Sequence, residues 1–307
     1  MGGPVATNDH LVDVIIPTRN RMALTIEAVE SVRAQTFSSW RLFIVDDSST
    51  ESVTALERLA KADHRISVLR RPLAGGPQAA RQTGFEASTA KLIALLDSDD
   101  LWEPTKLDRQ VEHFASRESE LSGHGAVLCW HQWVDENRHP RSEIRRPVAE
   151  GRADPLVSDN MSTLLVSREA VQRAGGFLPA DIRSLRVCEN VEFYIRLTQA
   201  CAFSVVPELL VYCRHHAGER ASNKLGTRYN AKALAYILAR HETVLMRHPE
   251  QRAELLARLG IRYLEAGSRR QGLSNLLACT RADGPVTALR ILRKYGSHAV
   301  KAVVIGR

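Results

Sequence analysis

Asp97-Ser98-Asp99-Asp100 puts three carboxylates into four residues, directly after the apolar run Leu92–Leu96. Acids this close repel one another. A hard divalent cation relieves that repulsion through oxygen ligands and leaves coordination positions open to phosphate and water. The apolar run is too short for an ordinary helix and reads as a buried strand, and in an open α/β sheet ligands bind beyond the carboxyl ends of strands. The pattern therefore points to a metal and nucleotide-diphosphate site. A second reading uses the same residues: Asp99 or Asp100 caps the helix that begins near Pro104.

Several elements must hold such a turn. Leu11–Ile16 is a β-branched strand stopped by Pro17-Thr18-Arg19-Asn20, and Ala23–Ala34 carries Leu24, Ala28, Val29 and Val32 at helical spacing. Trp40–Val45 is a second strand ending in Asp46-Asp47, Val53–Ala62 a helix, and Ile66–Leu69 a short strand. This βαβα rhythm predicts a mostly parallel sheet with right-handed crossovers. The turn Gly75-Gly76-Pro77 opens a helix over Gln78–Ala87, where glycine lets backbone amides approach a phosphate and Arg81 projects from the first turn. Neither a G-x-G-x-x-G fingerprint nor a P-loop follows these strands, which argues against nicotinamide and P-loop chemistry.

Downstream, Thr105–Phe114 reads as a helix, Ala126–Val134 and Met161–Val166 as strands, and Asp135–Asp154 as a polar, arginine-rich connection. Phe203–Val206 and Leu209–Tyr212 read as edge strands around Pro207. Long helical patterns follow over Asn230–Arg247, Pro249–Ala266, Arg269–Thr280 and Pro285–Tyr295. The sequence thus divides into a flexible start at 1–10, an α/β domain over 11–222 in two halves meeting near 104, and a helical region over 223–307.

The chain has 307 residues, 44% hydrophobic and 25% charged, as in ordinary soluble globular proteins, and a formal net charge of +7 suits anionic partners. Nucleic acid is not expected, since neither aromatic platforms nor a basic recognition helix is evident. The five cysteines lack a CxxC pair, so zinc knuckles and a disulfide framework are not indicated, and a cytoplasmic location is expected. The basic, amphipathic end of the chain suggests peripheral contact with an anionic inner membrane surface, or a homodimer through the C-terminal helices.

Taken in order, Val14–Asn20, Ser31–Phe37, Leu42–Ser48, Gly76 with Ala80-Arg81, and Leu95–Asp100 resemble the family 2 glycosyltransferases of the GT-A fold. Gly175-Gly176-Phe177 and Arg214-His215-His216 fall at similar places, so the resemblance covers about residues 11 to 220. It implies an inverting transfer from a nucleotide-sugar donor, most often a uridine diphosphate sugar, assisted by Mg²⁺ or Mn²⁺. Pro17, Thr18, Arg19 and Asn20 would line the nucleotide pocket, Asp47 would accept a hydrogen bond from the base, and Gly76 and Arg81 would sit near the donor. Asp97, Ser98 and Asp99 would meet ribose and diphosphate. Asp99 and Asp100 would reach the metal directly or through water, and His216 would be a further metal or phosphate contact. Saccharide, lipid-linked and small-molecule acceptors all suit the expected loops.

At one position the sequence departs from the family. The proton-accepting carboxylate usually comes from a Glu-Asp pair opening the helix that corresponds to Cys188–Leu197, and Asn190 stands where that aspartate belongs. A neutral amide cannot take the acceptor's proton. Glu189 and Glu192 are the remaining candidates, and both also suit a helix N-terminus electrostatically. A protein that binds the donor but does not turn over is the competing expectation.

Overall fold

The computed structural model describes residues 11–147, 151, 160–178, 188–214 and 226–285. His216, residues 179–187, and the basic tail beyond 285 lie outside them. The described residues fall into two compact units, one holding 11–147, 151, 160–178 and 196–214, the other 188–195 and 226–285.

The first unit is built on one sheet in the order β3-β2-β1-β4-β7-β6-β8-β5. β1 (Val12–Thr18), β2 (Trp40–Asp46), β3 (Ile66–Arg70) and β4 (Leu92–Leu95) run parallel, with α1 (Met22–Arg33), α2 (Thr54–Ala62) and α3 (Pro77–Ala87) as crossovers. Beyond β4 the sheet is mixed. β7 (Leu165–Ser167) is antiparallel to both β4 and β6 (His124–Val134), β8 (Ala202–Arg214) is parallel to β6, and the two-residue β5 (Leu101–Trp102) closes the edge. β1 is buried along its whole length, and strands covered on both faces read as apolar runs rather than alternation. Its one acid, Asp13, is fully buried; it takes a bidentate fork from Arg41, with both bonds at 2.9 Å, and amide bonds from Thr89 and Ala90.

Register decides where the site lies. Thr18 pairs with Asp46 across β1 and β2, and Ile15 pairs with Leu95 across β1 and β4, so the loops leaving all three strands emerge at one end of the sheet. α3 lies hard against this layer at Gly84, where an added Cβ would stand 2.6 Å from Ile15 Cγ2. Glycine there lets the helix carrying Arg81 approach β1.

Some boundaries differ from the sequence reading. Residues 202–214 form one strand between β6 and β5, not a pair of edge strands. Pro207 is tolerated because the register slips from Cys129↔Val206 to Trp130↔Leu209, leaving Pro207 and Glu208 exposed on a bulge. Met161–Thr163 is a turn of 3₁₀ helix ahead of β7 rather than part of a strand. α4 runs over Lys106–Glu120, beyond the predicted Phe114. Part of the polar connection folds back along β6, with bridges His131↔Arg145 and Val134↔Pro140.

The second unit is helical, with helices over Gly226–Arg240, Glu242–Leu245, Pro249–Glu265 and residues 269–285. Val191 and Ile195 of α6 (Glu189–Ala200) pack with Leu234, Ile237, Leu255 and Leu259 in its core. Gly260 and Gly272 face one another where two helices cross, and a Cβ on Gly260 would stand 3.0 Å from the Gly272 carbonyl.

Lys106 is an unusual core residue. Its side chain is fully buried, and its ammonium sits 3.8 Å from the centre of the Trp102 ring without a hydrogen bond. Burial pushes its pKa down from 10.5 to about 7, against a smaller upward pull from Cys129, while the ring face favours the charged form. The unfolded chain therefore binds this proton more tightly than the folded one, so stability rises with pH between about 7 and 10.5 and the cost of the buried charge is greatest below that window. Lys106→Met, close in length and apolar, is expected to remove this slope and to stabilise the protein near neutral pH by about 1–3 kcal/mol. Urea unfolding at about pH 7 and about pH 9.5 measures both effects.

Candidate active site

The acid turn leaves β4 as Leu96 N–H donates to the Ile15 carbonyl (3.1 Å), and it is held from below by Ser162. The Ser162 hydroxyl donates to Asp100 Oδ2 at 2.6 Å and accepts from the Asp97 amide at 3.0 Å. The Trp102 indole donates to the Ser162 carbonyl (2.9 Å), and Asn160 Oδ1 accepts from the Ser162 amide (2.8 Å). One 3₁₀ turn thus fixes two members of the acid cluster.

Three arginines surround the turn. Arg81 Nη2 donates to Asp97 Oδ1 at 2.5 Å, Arg21 Nη1 donates to Asp99 Oδ2 at 2.6 Å, and Arg214 Nε donates to the Asp99 carbonyl at 2.7 Å. Arg214 also gives its amide to Asp100 Oδ1 (3.3 Å) and its Nη1 to Glu27 Oε2 (2.5 Å). Burial is the main force raising the Asp100 pKa well above the carboxylate range, followed by the charges of Asp99 and Asp97, with the Ser162 and Arg214 hydrogen bonds pulling the other way. Asp100 is buried with both oxygens engaged, so it is a support beneath the turn rather than the open ligand that the sequence suggested. Asp97 and Asp99 remain partly exposed, and Ser98 is buried.

The loop after β2 forms the other wall. Asp47 Oδ1 accepts from Arg71 Nε (2.9 Å) and the Gly75 amide (2.9 Å), and Oδ2 accepts from the Gly76 amide (2.7 Å). This carboxylate is nearly buried and spent on shaping the Gly75-Gly76 turn, which departs from the expected direct contact with a nucleobase. A Cβ on Gly75 would stand 2.7 Å from both Arg71 Nη2 and Ala79 Cβ; Gly76, at φ +88, borders open space. Pro17 and Thr18 are buried, the Thr18 hydroxyl hydrogen-bonded to the Thr25 hydroxyl at 2.6 Å. Asn20, at φ 51, accepts from the Thr50 amide (2.8 Å) and so ties the loop after β1 to the loop after β2. Arg19 is exposed.

In the second unit, Glu192 is fully buried, with Oε1 3.0 Å from His241 Nε2 and 3.5 Å from Arg240 Nε. That is a bracing role inside the helical core, not the posture of a base facing a substrate. Glu189 and Asn190 stand in the first turn of α6, half-buried.

Sequence reasoning passed over Arg21, Ser162 and Arg71. Arg21 had a signal, because a cation at the N-cap of a helix with no acid in its first turn opposes the helix dipole. Ser162 had none, since it reaches the turn only through the tertiary fold. The arrangement fits a hard divalent cation. Asp99 offers carboxylate oxygen at a partly exposed position in a cluster whose own charges disfavour ionisation of Asp100. Among the described residues no group of three or more His, Cys, Asp or Glu side chains could hold a metal unaided, so a diphosphate and water would have to complete the shell.

A largely parallel sheet carrying acids beyond β4 and a glycine turn before α3 has the GT-A fold. The chain belongs to glycosyl transferase family 2, whose profile matches residues 13–171. Among relatives, a glycosyltransferase of Rickettsia conorii is 40% identical over 185 residues, covering 59% of this chain and 29% of that protein. The Escherichia coli UDP-Glc:alpha-D-GlcNAc-diphosphoundecaprenol beta-1,3-glucosyltransferase WfgD is 36% identical over 104 residues, 34% of this chain and 41% of that one. The chain thus spans under half the length of these relatives. In fold it resembles S. aureus TarS in complex with UDP-GlcNAc, at 17% identity and a TM-score of 0.64, covering 96% of this chain and 88% of that one. It likewise resembles the Pyrobaculum calidifontis mannosyltransferase PcManGT in complex with GDP-Man and Mn²⁺, at 17% identity and a TM-score of 0.59, covering 96% and 86%.

Asp47→Ala removes the common acceptor of Arg71, Gly75 and Gly76. The variant is expected to lose about 2–4 kcal/mol in urea unfolding, because two backbone amides lose their acceptor and the Arg71 guanidinium, left with the Ala79 carbonyl and the Thr83 hydroxyl, loses its carboxylate.

Proposed function

We propose that this protein transfers a sugar, with inversion, from a nucleoside diphosphate sugar, with uridine diphosphate favoured, to an acceptor hydroxyl, and that it depends on Mn²⁺ or Mg²⁺. The observation that carries the reading is the acid turn at the end of β4, held by Ser162 and flanked by Arg21 and Arg81. Asp99 would hold the cation directly. Asp100 fixes the loop beneath it, and His216 stays a proposed further ligand. When bound, the cation supplies positive charge against the negative charge that develops on the departing diphosphate. Arg81, buried and locked to Asp97, adds a fixed positive charge on the same side. At the neighbouring turn, Gly76 borders open space.

For the acceptor, Glu189 is the proposed base, because Asn190 cannot accept the proton and Glu192 is spent on His241. A hydroxyl attacking the anomeric carbon loses its proton to that carboxylate as the bond to the diphosphate breaks. The acceptor is proposed to be a saccharide, lipid-linked or otherwise, in polysaccharide or glycolipid assembly, a class consistent with what the name of WfgD states for that enzyme. The described residues contain no helix long and apolar enough to cross a membrane. A peripheral position at the cytoplasmic face of a membrane remains part of the proposal.

Asn190 favours a second reading, a protein that binds the donor without turnover. Calorimetry with Mn²⁺ and a panel of nucleoside diphosphates separates these ideas from failure of both. Binding is expected, strongest for UDP, and Asp99→Asn should weaken it by about tenfold or more with an unchanged circular dichroism spectrum. No binding of any diphosphate would contradict the proposal. In a released-diphosphate assay, turnover by the wild type supports the first reading; an inert wild type that gains about a hundredfold or more in Asn190→Asp supports the second.

A further inference from the structure

Of the arginines on the acid turn, Arg81 and Arg214 are immobilised, with side chains 2% and 4% exposed. Arg21 differs. Its side chain is 25% exposed and its partner Asp99 is 19% exposed, so both members of this pair reach solvent. Arg21 also sits where a cation is intrinsically disfavoured: it is the N-cap of α1, its own side chain makes no cap bond, the first helical turn holds no acid, and only Glu51 Oε2, 3.2 Å from the Met22 amide, brings a carboxylate to that end. The Asp99 carboxylate offsets that unfavourable placement. The ion pair therefore uses the same oxygen-bearing group that the proposed cation needs.

We propose that Arg21 is the resident counter-cation of Asp99 and that it changes partner during donor binding: the divalent cation takes the carboxylate, and the released guanidinium turns to the donor's diphosphate. The inference rests on the donor and metal reading given above. Before donor arrives, Arg21 holds the Asp99 carboxylate in place beside two other acids. It also makes binding of the metal alone unfavourable, because the cation must displace it. Once the diphosphate is present, the displaced planar guanidinium gains an anion that it can grip with two donors, so metal and nucleotide bind together more readily than either does separately. Cooperativity is thereby built into one side chain.

The two halves of the exchange predict changes of opposite sign. In Arg21→Gln, titration of Mn²⁺ alone, followed by electron paramagnetic resonance of the free ion, should show binding tightened by about three- to tenfold, because the competitor is gone. Binding of UDP at saturating Mn²⁺, followed by calorimetry, should weaken by about tenfold, the loss of one charge-assisted contact. Arg21→Lys, which keeps the charge but not the fork, should lie between on both measurements. Circular dichroism and the thermal midpoint report whether each variant folds. If both affinities of Arg21→Gln weaken together, or Mn²⁺ binding alone does not change, Arg21 is only a structural brace for Asp99 and the inference fails. A wild type that binds neither Mn²⁺ nor UDP overturns the donor-site reading itself, a result distinct from that one.

Discussion

Mutual repulsion among Asp97, Asp99 and Asp100 is the constraint around which the first unit is arranged. Left to water, such a turn would splay its side chains outward. Here Asp100 is drawn under the surface by the Ser162 hydroxyl and the Arg214 amide, while Asp97 and Asp99 are each met by a guanidinium. Every partner arrives on a different element: Arg81 on α3, Arg21 at the start of α1, Arg214 at the end of β8, and Ser162 in the 3₁₀ turn before β7. The turn can be acidic because the fold brings four remote segments to it.

That convergence depends on features remote from the chemistry. Parallel register aligns the ends of β1, β2 and β4, and Gly84 allows α3 to lie close enough to β1 for Arg81 to reach Asp97. Trp102 connects the buried ammonium of Lys106 to Ser162, so the core under the turn contains an electrostatic cost next to the device that holds the acids. A folded protein commonly tolerates such a local conflict where a functional arrangement benefits from it. The loop after β2 shows the same economy, with one carboxylate, Asp47, shaping a glycine turn through three donors.

Much of this was legible in the sequence. The strands of the parallel half are continuous β-branched and apolar runs, the ends of β2 and β4 are marked by Asp46-Asp47 and Asp97, and the acid cluster announces itself by composition, although β1 continues through Pro17 to Thr18. What escaped was tertiary. Asp47 looked available for a ligand, and its three donors come from residues 71, 75 and 76, whose approach no local pattern reveals. Asp100 looked like a ligand and is buried by a serine 62 positions away. Glu192 looked like a candidate base at a helix start, yet its partner His241 belongs to a later helix pair. Pro207 suggested two edge strands, because a bulge that absorbs a proline inside one long strand leaves no mark in periodicity.

The central claim is that the turn at the end of β4 holds a divalent cation together with the donor's diphosphate. Anomalous diffraction at the manganese edge, from crystals grown with Mn²⁺ and UDP, tests it most directly. The account predicts a single strong peak at about 2.0–2.3 Å from an Asp99 carboxylate oxygen, with diphosphate oxygens completing the shell. A nucleotide bound away from the β4 end, or a peak coordinated by other residues with Asp99 still joined to Arg21, would contradict it.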